Sequence, residues 1–529
     1  MKTGTKRWVL AGGGTAAVAA VVVGALLVWS GGEPAAGPAR GTAGRPERVS
    51  PAEVARQFMT AVATGQAAQA AALTDAADAA GAAITRTKQG MPGIGFHARL
   101  APEPAAPAGG TGTSIDADVT WTLPGGAPLA YRTTVDLRLV DDTWRVAWSP
   151  TLLHPRLTEG QSLAYGALPG DGALLDRTGA PVAEGFAPVV MGSVRRAVGP
   201  LTGTPGWRVT AVDAAGAPAA VLHEQPPQVA PSVTVTLDPA TQSAAQAAVD
   251  GVGQAAVLVA VQPSTGELLA VAQNAVADGQ GPIALQNFFE PGSTFKVVTA
   301  TAALTAGTAN ADTPLDCPGA ATIGTRRITN EDSFELGAVP MRRAFAASCN
   351  TSFGKLAADL PADALPTAAA YFGLMSDFTV AGITTNTGKV PAAGSTAARV
   401  EAGIGQGEVL TTPFGMALAA ATVAQGRTPV PRLLRDTPTE GRQPPALPGG
   451  VVTALRSMMA EVVTGGTARE LAGFAGVRGK TGTAQFGDGT RSHGWFMGYR
   501  GDLAFSVLVV DGGSSKVAVG ATAAFLGGL

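Results

Sequence analysis

The sequence predicts a multidomain chain of mixed helix and strand. An α+β module covers 48–155, a small β-rich region covers 156–232, and a C-terminal α/β domain covers 233–529. Three observations lead there. The 529 residues are too many for one domain, and with 46% hydrophobic and only 14% charged residues the chain can bury real cores. One helical pattern followed by several β-rich runs fills the first module. From residue 233 to the end, helical and strand patterns alternate over a stretch long enough for an enzymatic domain.

Composition excludes several function classes. A net charge of −2, with no run of Lys or Arg, argues against a nucleic-acid partner. Cys317 and Cys349 are the only cysteines, and His97, His154, His223 and His493 are scattered. That gives neither a disulfide scaffold nor a metal-ligand pattern, so no metal site is expected. A catalytic base must be sought first among Lys, Asp and Glu.

The N-terminus reads as a membrane anchor. Lys2, Lys6 and Arg7 lie in a short cytoplasmic stub, 1–7. The apolar stretch 8–29 is roughly 22 residues, enough to span a bilayer. Trp8 and Trp29 stand at its ends, where interfacial aromatics are expected. The positive flank stays inside, which places the body outside the cytoplasm on a single-pass anchor in the cell membrane. A cleaved signal peptide is the competing reading, but the run is long for one and no convincing small-x-small cleavage site directly follows it. Residues 30–47, rich in Gly, Pro and Ala, read as a linker.

The elements then follow in order. Ser50 caps a helix whose first turn holds Pro51 and Glu53, and Val54, Phe58, Met59 and Val62 share one face. TSIDADVTWTL, YRTTVDLRLV and TWRVAW read as strands. GALLDRTGAPVA (172–183) reads as two strands around a tight turn. VTVTL ends at Asp238, which caps a helix opening on Pro239. Residues 255–273 read as a hairpin turning at Ser264-Thr265-Gly266.

Three short motifs carry chemistry. In EPGSTFKVVTATAALTAG (290–307), Ser293 sits at a helix N-terminus, where orphan N–H groups favour a developing anion. Lys296 is one turn further on the same face. Partly desolvated and near another cation, it is suited to act as general base for Ser293. In AFAASCNTSFGKLA (344–357), Ser348 and Asn350 are two apart in a turn between helices. Ser348 is placed to relay a proton, and Asn350 to orient Lys296 and bond a substrate amide. In VRGKTGTAQF (477–486), an extended strand, Lys480 brings positive charge near Ser293. Thr481 and Thr483 offer hydroxyls for a substrate carboxylate, Gly482 lets a substrate backbone lie close, and the N–H groups of Thr483 and Ser293 would form an oxyanion hole. Taken singly each motif is weak: a helix cap with a surface lysine, a turn, a strand with a glycine. Their order and their gaps of roughly 55 and 130 residues suit one domain and match a triple associated with penicillin-binding proteins and class A β-lactamases. Cys349 reads as a small buried residue between site positions, with a bond to Cys317 open to it in an oxidising compartment. His493, Trp495 and Tyr499 read as structural.

On these motifs the chain resembles high-molecular-mass penicillin-binding proteins of the monofunctional, class B transpeptidase type. The resemblance covers 233–529 and extends to GIGQGEVLTTPFGMALAAATVAQG (403–426), HGWFMGYR (493–500) and DPATQSAAQAAV (238–249). It implies an antiparallel sheet flanked by helices. GALLDRTGAPVA resembles part of the family's dimerisation region, and 48–155 is similar to an NTF2-like domain. The implied activity is peptidoglycan D,D-transpeptidation through an acyl-enzyme on Ser293, with β-lactams as substrate mimics and no cofactor. Implied partners are peptidoglycan stem peptides, β-lactams, the membrane and a separate membrane glycosyltransferase. The alternatives are a D,D-carboxypeptidase or β-lactamase, with water as acceptor, and a non-catalytic β-lactam sensor.

Overall fold

The computed structural model of the chain describes residues 49–102 and 110–529. The expected stub 1–7, anchor 8–29 and linker 30–47 lie outside the described residues. No described helix is long and apolar enough to cross a membrane. The chain divides into two compact units, one through Thr85 with Ile94–Pro155, the other Arg86–Gly93 with Arg156–Leu529.

The first unit begins with helix α1 (Pro51–Ala63), where the sequence places it. The Ser50 hydroxyl accepts from Glu53 N at 3.2 Å, and Val54, Phe58, Met59 and Val62 are buried. Two helices not expected from the sequence, Ala67–Ala72 and Ala77–Gly90, follow. They are alanine-rich, so they show little apolar periodicity. An antiparallel sheet then runs β1 (Gly95–Leu100), β2 (Gly112–Thr122), β3 (Pro128–Val140), β4 (Thr143–Val146), in that order. Alternation decides its faces: Ile115, Ala117, Val119 and Trp121 are buried while Asp116 and Asp118 face out. The sequence reading lacked β1, which buries only Phe96.

The second unit opens with a small sheet of β5 (Ser162–Leu168), β6 (Gly206–Val212) and β7 (Pro218–Gln225). Residues 172–183 form the expected tight turn, closed by Asp176 N donating to Ala180 O at 2.8 Å and Val182 N donating to Leu174 O at 2.9 Å, but the returning arm is not a full strand. Only Leu174–Leu175 is strand, pairing in parallel with Val233–Thr234, and a single bridge joins Leu175 to Pro181. At the turn, Asp176 Oδ1 accepts from Thr178 N at 2.8 Å and Ala180 N at 3.1 Å.

The remainder forms one core. Helix α2 (Pro239–Asp250) is capped by Asp238, whose Oδ1 accepts from Thr241 N at 2.9 Å. The hairpin β8 (Ala256–Val261) and β9 (Leu268–Gln273) follows. Helices α3 (Lys296–Ala306), α4 (Asn350–Ala358) and α5 (Pro413–Gln425) come next, then strands β10 (Val477–Phe486), β11 (Arg491–Arg500), β12 (Leu503–Val509) and helix α6 (Ser515–Gly527). The five strands make one antiparallel sheet ordered β9-β8-β12-β11-β10. On β12, Phe505 meets Phe525 of α6, and the next residue, Ser506, bonds Pro413 O of α5. Adjacent strand residues point to opposite faces, so helices cover both sides of the sheet. This explains the unbroken burial of β8 and β9. β10 is left at the sheet edge, beside the turn that carries Ser293.

Candidate active site

Ser293 lies in a 3-10 turn, Gly292–Phe295, that runs directly into α3 at Lys296. Two glycines let this turn sit against β10. Gly292 has φ 51°, and a Cβ there would meet Thr483 O at 2.6 Å. A Cβ on Gly482 would meet Pro291 O at 2.8 Å and Thr294 Cγ2 at 2.9 Å. The close approach at Gly482 is therefore made by the protein's own nucleophile turn. Trp495, paired with Gly482 on β11, donates from Nε1 to Glu290 O at 2.9 Å and ties down the segment entering the turn.

Ser348 follows helix Met341–Ala346 and precedes α4, in the left-handed region with φ 64°. Such strain in a non-glycine residue persists only where its surroundings enforce it. Here it accompanies a carbonyl aimed at Lys296, with Ser348 O 2.7 Å from Nζ. Asn350 Oδ1 is also 2.7 Å from Lys296 Nζ, and Ser293 Oγ is 2.9 Å away. Ser348 Oγ lies 3.3 Å from Lys296 Nζ and 2.9 Å from Lys480 Nζ. Ser293, Lys296, Ser348, Asn350 and Lys480 thus form one connected network.

The network fixes the lone pair of Lys296. Ser348 O and Asn350 Oδ1 can only accept, so they take both N–H groups of a neutral amine. The lone pair is left to the Ser293 O–H. Both lysines are fully buried. Burial, reinforced by the positive charge of Lys480 and opposed by Glu331, pushes Lys296 well below the ordinary lysine range. Burial lowers Lys480 to about 7, against the Glu331 carboxylate, which raises it. Burial and the Lys480 charge thus favour the neutral amine of Lys296, the form competent to take the Ser293 proton.

The cleft beside this network is about 170 Å³ and is lined by Ser293, Ser348, Asn350, Thr481 and Thr483. Thr481 Oγ1 is paired with Thr467 Oγ1 at 2.5 Å, and Thr483 Oγ1 accepts from Ser515 N at 3.2 Å. The sequence reading missed further lining residues, among them Asn330, Glu331, Gln406 and Gln485. With its side-chain amide turned to satisfy both groups, Gln406 bonds Gln485 N and O at 3.1 Å each. Glu331 carries no motif signal; it is found only as the carboxylate that acts on both buried lysines.

Cys317 and Cys349 are disulfide-bonded. His493 is buried, stacked on Phe486 and edge-on to Phe289, and its Nδ1 accepts from Asp511 N at 3.2 Å. Burial lowers it to about 4, so it is neutral and structural. Trp495 and Tyr499 are buried as packing residues.

Comparison with known proteins places these features in context. Residues 256–526 match the penicillin binding protein transpeptidase domain, and residues 50–161 match the NTF2-like N-terminal transpeptidase domain. The chain is 31% identical over 348 residues to the peptidoglycan D,D-transpeptidase PbpA of Mycolicibacterium smegmatis, covering 55% of this chain and 69% of that protein. It is 30% identical over 314 residues to the protein of the same name from Mycobacterium tuberculosis, covering 50% of this chain and 63% of the relative's length. Among solved structures, it is similar to the imipenem acyl-enzyme complex of penicillin-binding protein A from M. tuberculosis. There the TM-score is 0.50 at 26% identity, over 57% of this chain and 80% of that one.

Proposed function

The chain belongs to the penicillin binding protein transpeptidase domain family, and from that premise we propose that it is a serine D,D-transpeptidase that crosslinks peptidoglycan stem peptides. The observation that carries the reading is the contact of 2.9 Å between Ser293 Oγ and the buried, proton-poor Lys296 Nζ. Lys296 takes the hydroxyl proton as Ser293 Oγ bonds to the carbonyl carbon of the penultimate D-Ala. The oxyanion is stabilised by the N–H groups of Ser293 and Thr483, donors whose individual loss typically costs about 3 to 4 kcal/mol. The C–N bond breaks, and the departing D-Ala amine receives the proton from Lys296 through the Ser348 hydroxyl. An amine from a neighbouring stem then attacks the ester and gives its proton to Lys296, which returns it to Ser293 Oγ as the Ser293 C–O bond breaks. Lys480, with Thr481 and Thr483, holds the terminal carboxylate, and a β-lactam acylates Ser293 by the same first step.

A hydrolytic reading draws on one observation: Glu331 is a carboxylate lining the cleft, placed to activate water. Crosslinking is favoured because the family of the matched N-terminal domain is itself described as a transpeptidase domain. The same proposal puts the body outside the cytoplasm on the 8–29 anchor, in the membrane with a separate glycosyltransferase. The disulfide, which suits an oxidising compartment, supports that location. The test is mass analysis of a stem peptide ending in D-Ala-D-Ala after incubation with the full chain and a D-amino acid. Exchange of the terminal residue, lost in Ser293→Ala, is expected. D-Ala release without exchange would make the enzyme a carboxypeptidase.

A further inference from the structure

Helix α4 lacks the side-chain cap that its position calls for. Its N-cap residue, Cys349, makes no side-chain capping bond, and its sulfur is committed to Cys317. The first N–H groups of α4 are met from a distant loop instead. Asn330 Oδ1 accepts from Asn350 N at 2.8 Å and from Thr351 N at 3.1 Å. Its Nδ2 donates to Phe334 O at 2.8 Å and Pro318 O at 2.9 Å, and it lies 3.4 Å from Cys317 Sγ. Asn330 is 3% exposed, so every polar atom of its amide is spoken for inside the protein.

The neighbouring residue completes the brace. Thr329 O accepts from Asn350 Nδ2 at 2.9 Å. That contact settles which way the Asn350 amide faces, leaving Oδ1 on Lys296 Nζ at 2.7 Å. Asn350 is thus held at its backbone by Asn330 and at its side chain by Thr329.

We propose that Asn330 is a positioning residue for the acylation step, capping α4 from outside so that Asn350 and Ser348 O occupy the two N–H groups of Lys296 and aim its lone pair at Ser293. The inference rests on the transpeptidase reading for its consequence in catalysis, but the placement of Lys296 is measurable without it. Without the cap, the Ser348–Asn350 turn relaxes, an N–H of Lys296 competes for the Ser293 oxygen, and proton transfer slows.

The experiment compares Asn330→Ala and Asn330→Asp with the unaltered full chain. Acylation by a fluorescent penicillin is followed against pH and drug concentration, Lys296 is titrated by isotope-labelled lysine NMR, and a thermal melt reports folding. Asn330→Ala is expected to lower the limiting acylation rate by about 10- to 100-fold at every pH, with little change in half-saturation. Asn330→Asp keeps the acceptor for both N–H groups, loses the donations to Phe334 O and Pro318 O, and adds a negative charge that favours protonated Lys296. Its acid limb and its Lys296 titration are both expected to move to higher pH, with the rate above the limb higher than that of Asn330→Ala. If both variants are folded and match the unaltered protein in rate and titration, the proposal is overturned. It is equally overturned if both lose activity in parallel with melting temperature while Lys296 titrates unchanged, since that is mere support of the fold. An unaltered protein that is not acylated at all would sink the transpeptidase reading, and the NMR titration would still judge Asn330.

Discussion

Substituting Gly482 by Ala probes whether the nucleophile turn and the β10 edge form one rigid site. The new Cβ would lie 2.8 Å from Pro291 O, 2.9 Å from Thr294 Cγ2 and 3.1 Å from Thr294 N, where ordinary contact begins at 3.4 Å. The crowded atoms flank Ser293, and two of the three are backbone, so no flexible side chain can give way. The turn must retreat by about 0.6 Å to restore an ordinary carbonyl contact, comparable to the roughly 0.5 Å tolerance of a catalytic constellation. Since a displacement of about 1 Å costs on the order of 100-fold in rate, acylation is expected to fall by about 10- to 100-fold. Overpacking of this kind costs about 1–3 kcal/mol of stability. The assay is the second-order rate of acylation by a fluorescent penicillin, read well below the melting temperature. Gly253→Ala, where a Cβ meets nothing within 4 Å, serves as control. A folded Gly482→Ala protein acylated within twofold of the control would refute the claim that this contact sets the position of Ser293.

Three further predictions follow from the same geometry. Lys296→Met removes the base and is expected to slow acylation by about 10²–10⁴-fold. It relieves a buried amine of its desolvation cost but leaves Ser348 O and Asn350 Oδ1 without their donor, so the two effects oppose and a folded variant with little change in melting temperature is expected. Glu331→Gln removes a charge that raises both lysines, so both titrate lower. Acylation needs Lys296 unprotonated and Lys480 protonated; the rate–pH curve is therefore expected to shift as a whole to lower pH, and an alkaline shift would reverse the assigned signs. Reducing the disulfide between Cys317 and Cys349, which are 32 residues apart, frees a loop whose closure is worth about 3–4 kcal/mol. A denaturant midpoint insensitive to reductant would show that the bond adds nothing.

The parts of this molecule legible in the sequence are those whose information is local. Asp238-Pro239 marks a helix start by itself, and the β10 strand over Val477–Phe486 falls within its expected bounds. Ser293 and Lys296 share a helical turn, and Ser348 and Asn350 share one loop, so their spacing carries the signal. Asn330 and Glu331 reach the cleft only through tertiary packing, and nothing in their neighbours marks them, whereas Gln406 lies in the 403–426 stretch that carries the resemblance without being marked by type as a cleft residue. The α+β module was legible through alternation in β2 and β3. Its first strand, β1, was missed although Phe96, Ala98 and Leu100 alternate with the exposed His97 and Arg99, because the run is only six residues long and buries a single side chain. In 172–183 the tight turn was legible, and the returning arm stops at a single bridge because Pro181 has no N–H to give a ladder.

The central claim is that Ser293 is the acylated residue. Mass spectrometry of the intact full chain after exposure to benzylpenicillin, with peptide mapping and a Ser293→Ala control, tests it most directly. A stable adduct of one drug mass on the peptide containing Ser293, absent from the control, is the predicted result. An adduct that persists in Ser293→Ala, or one that maps to another residue, would contradict it.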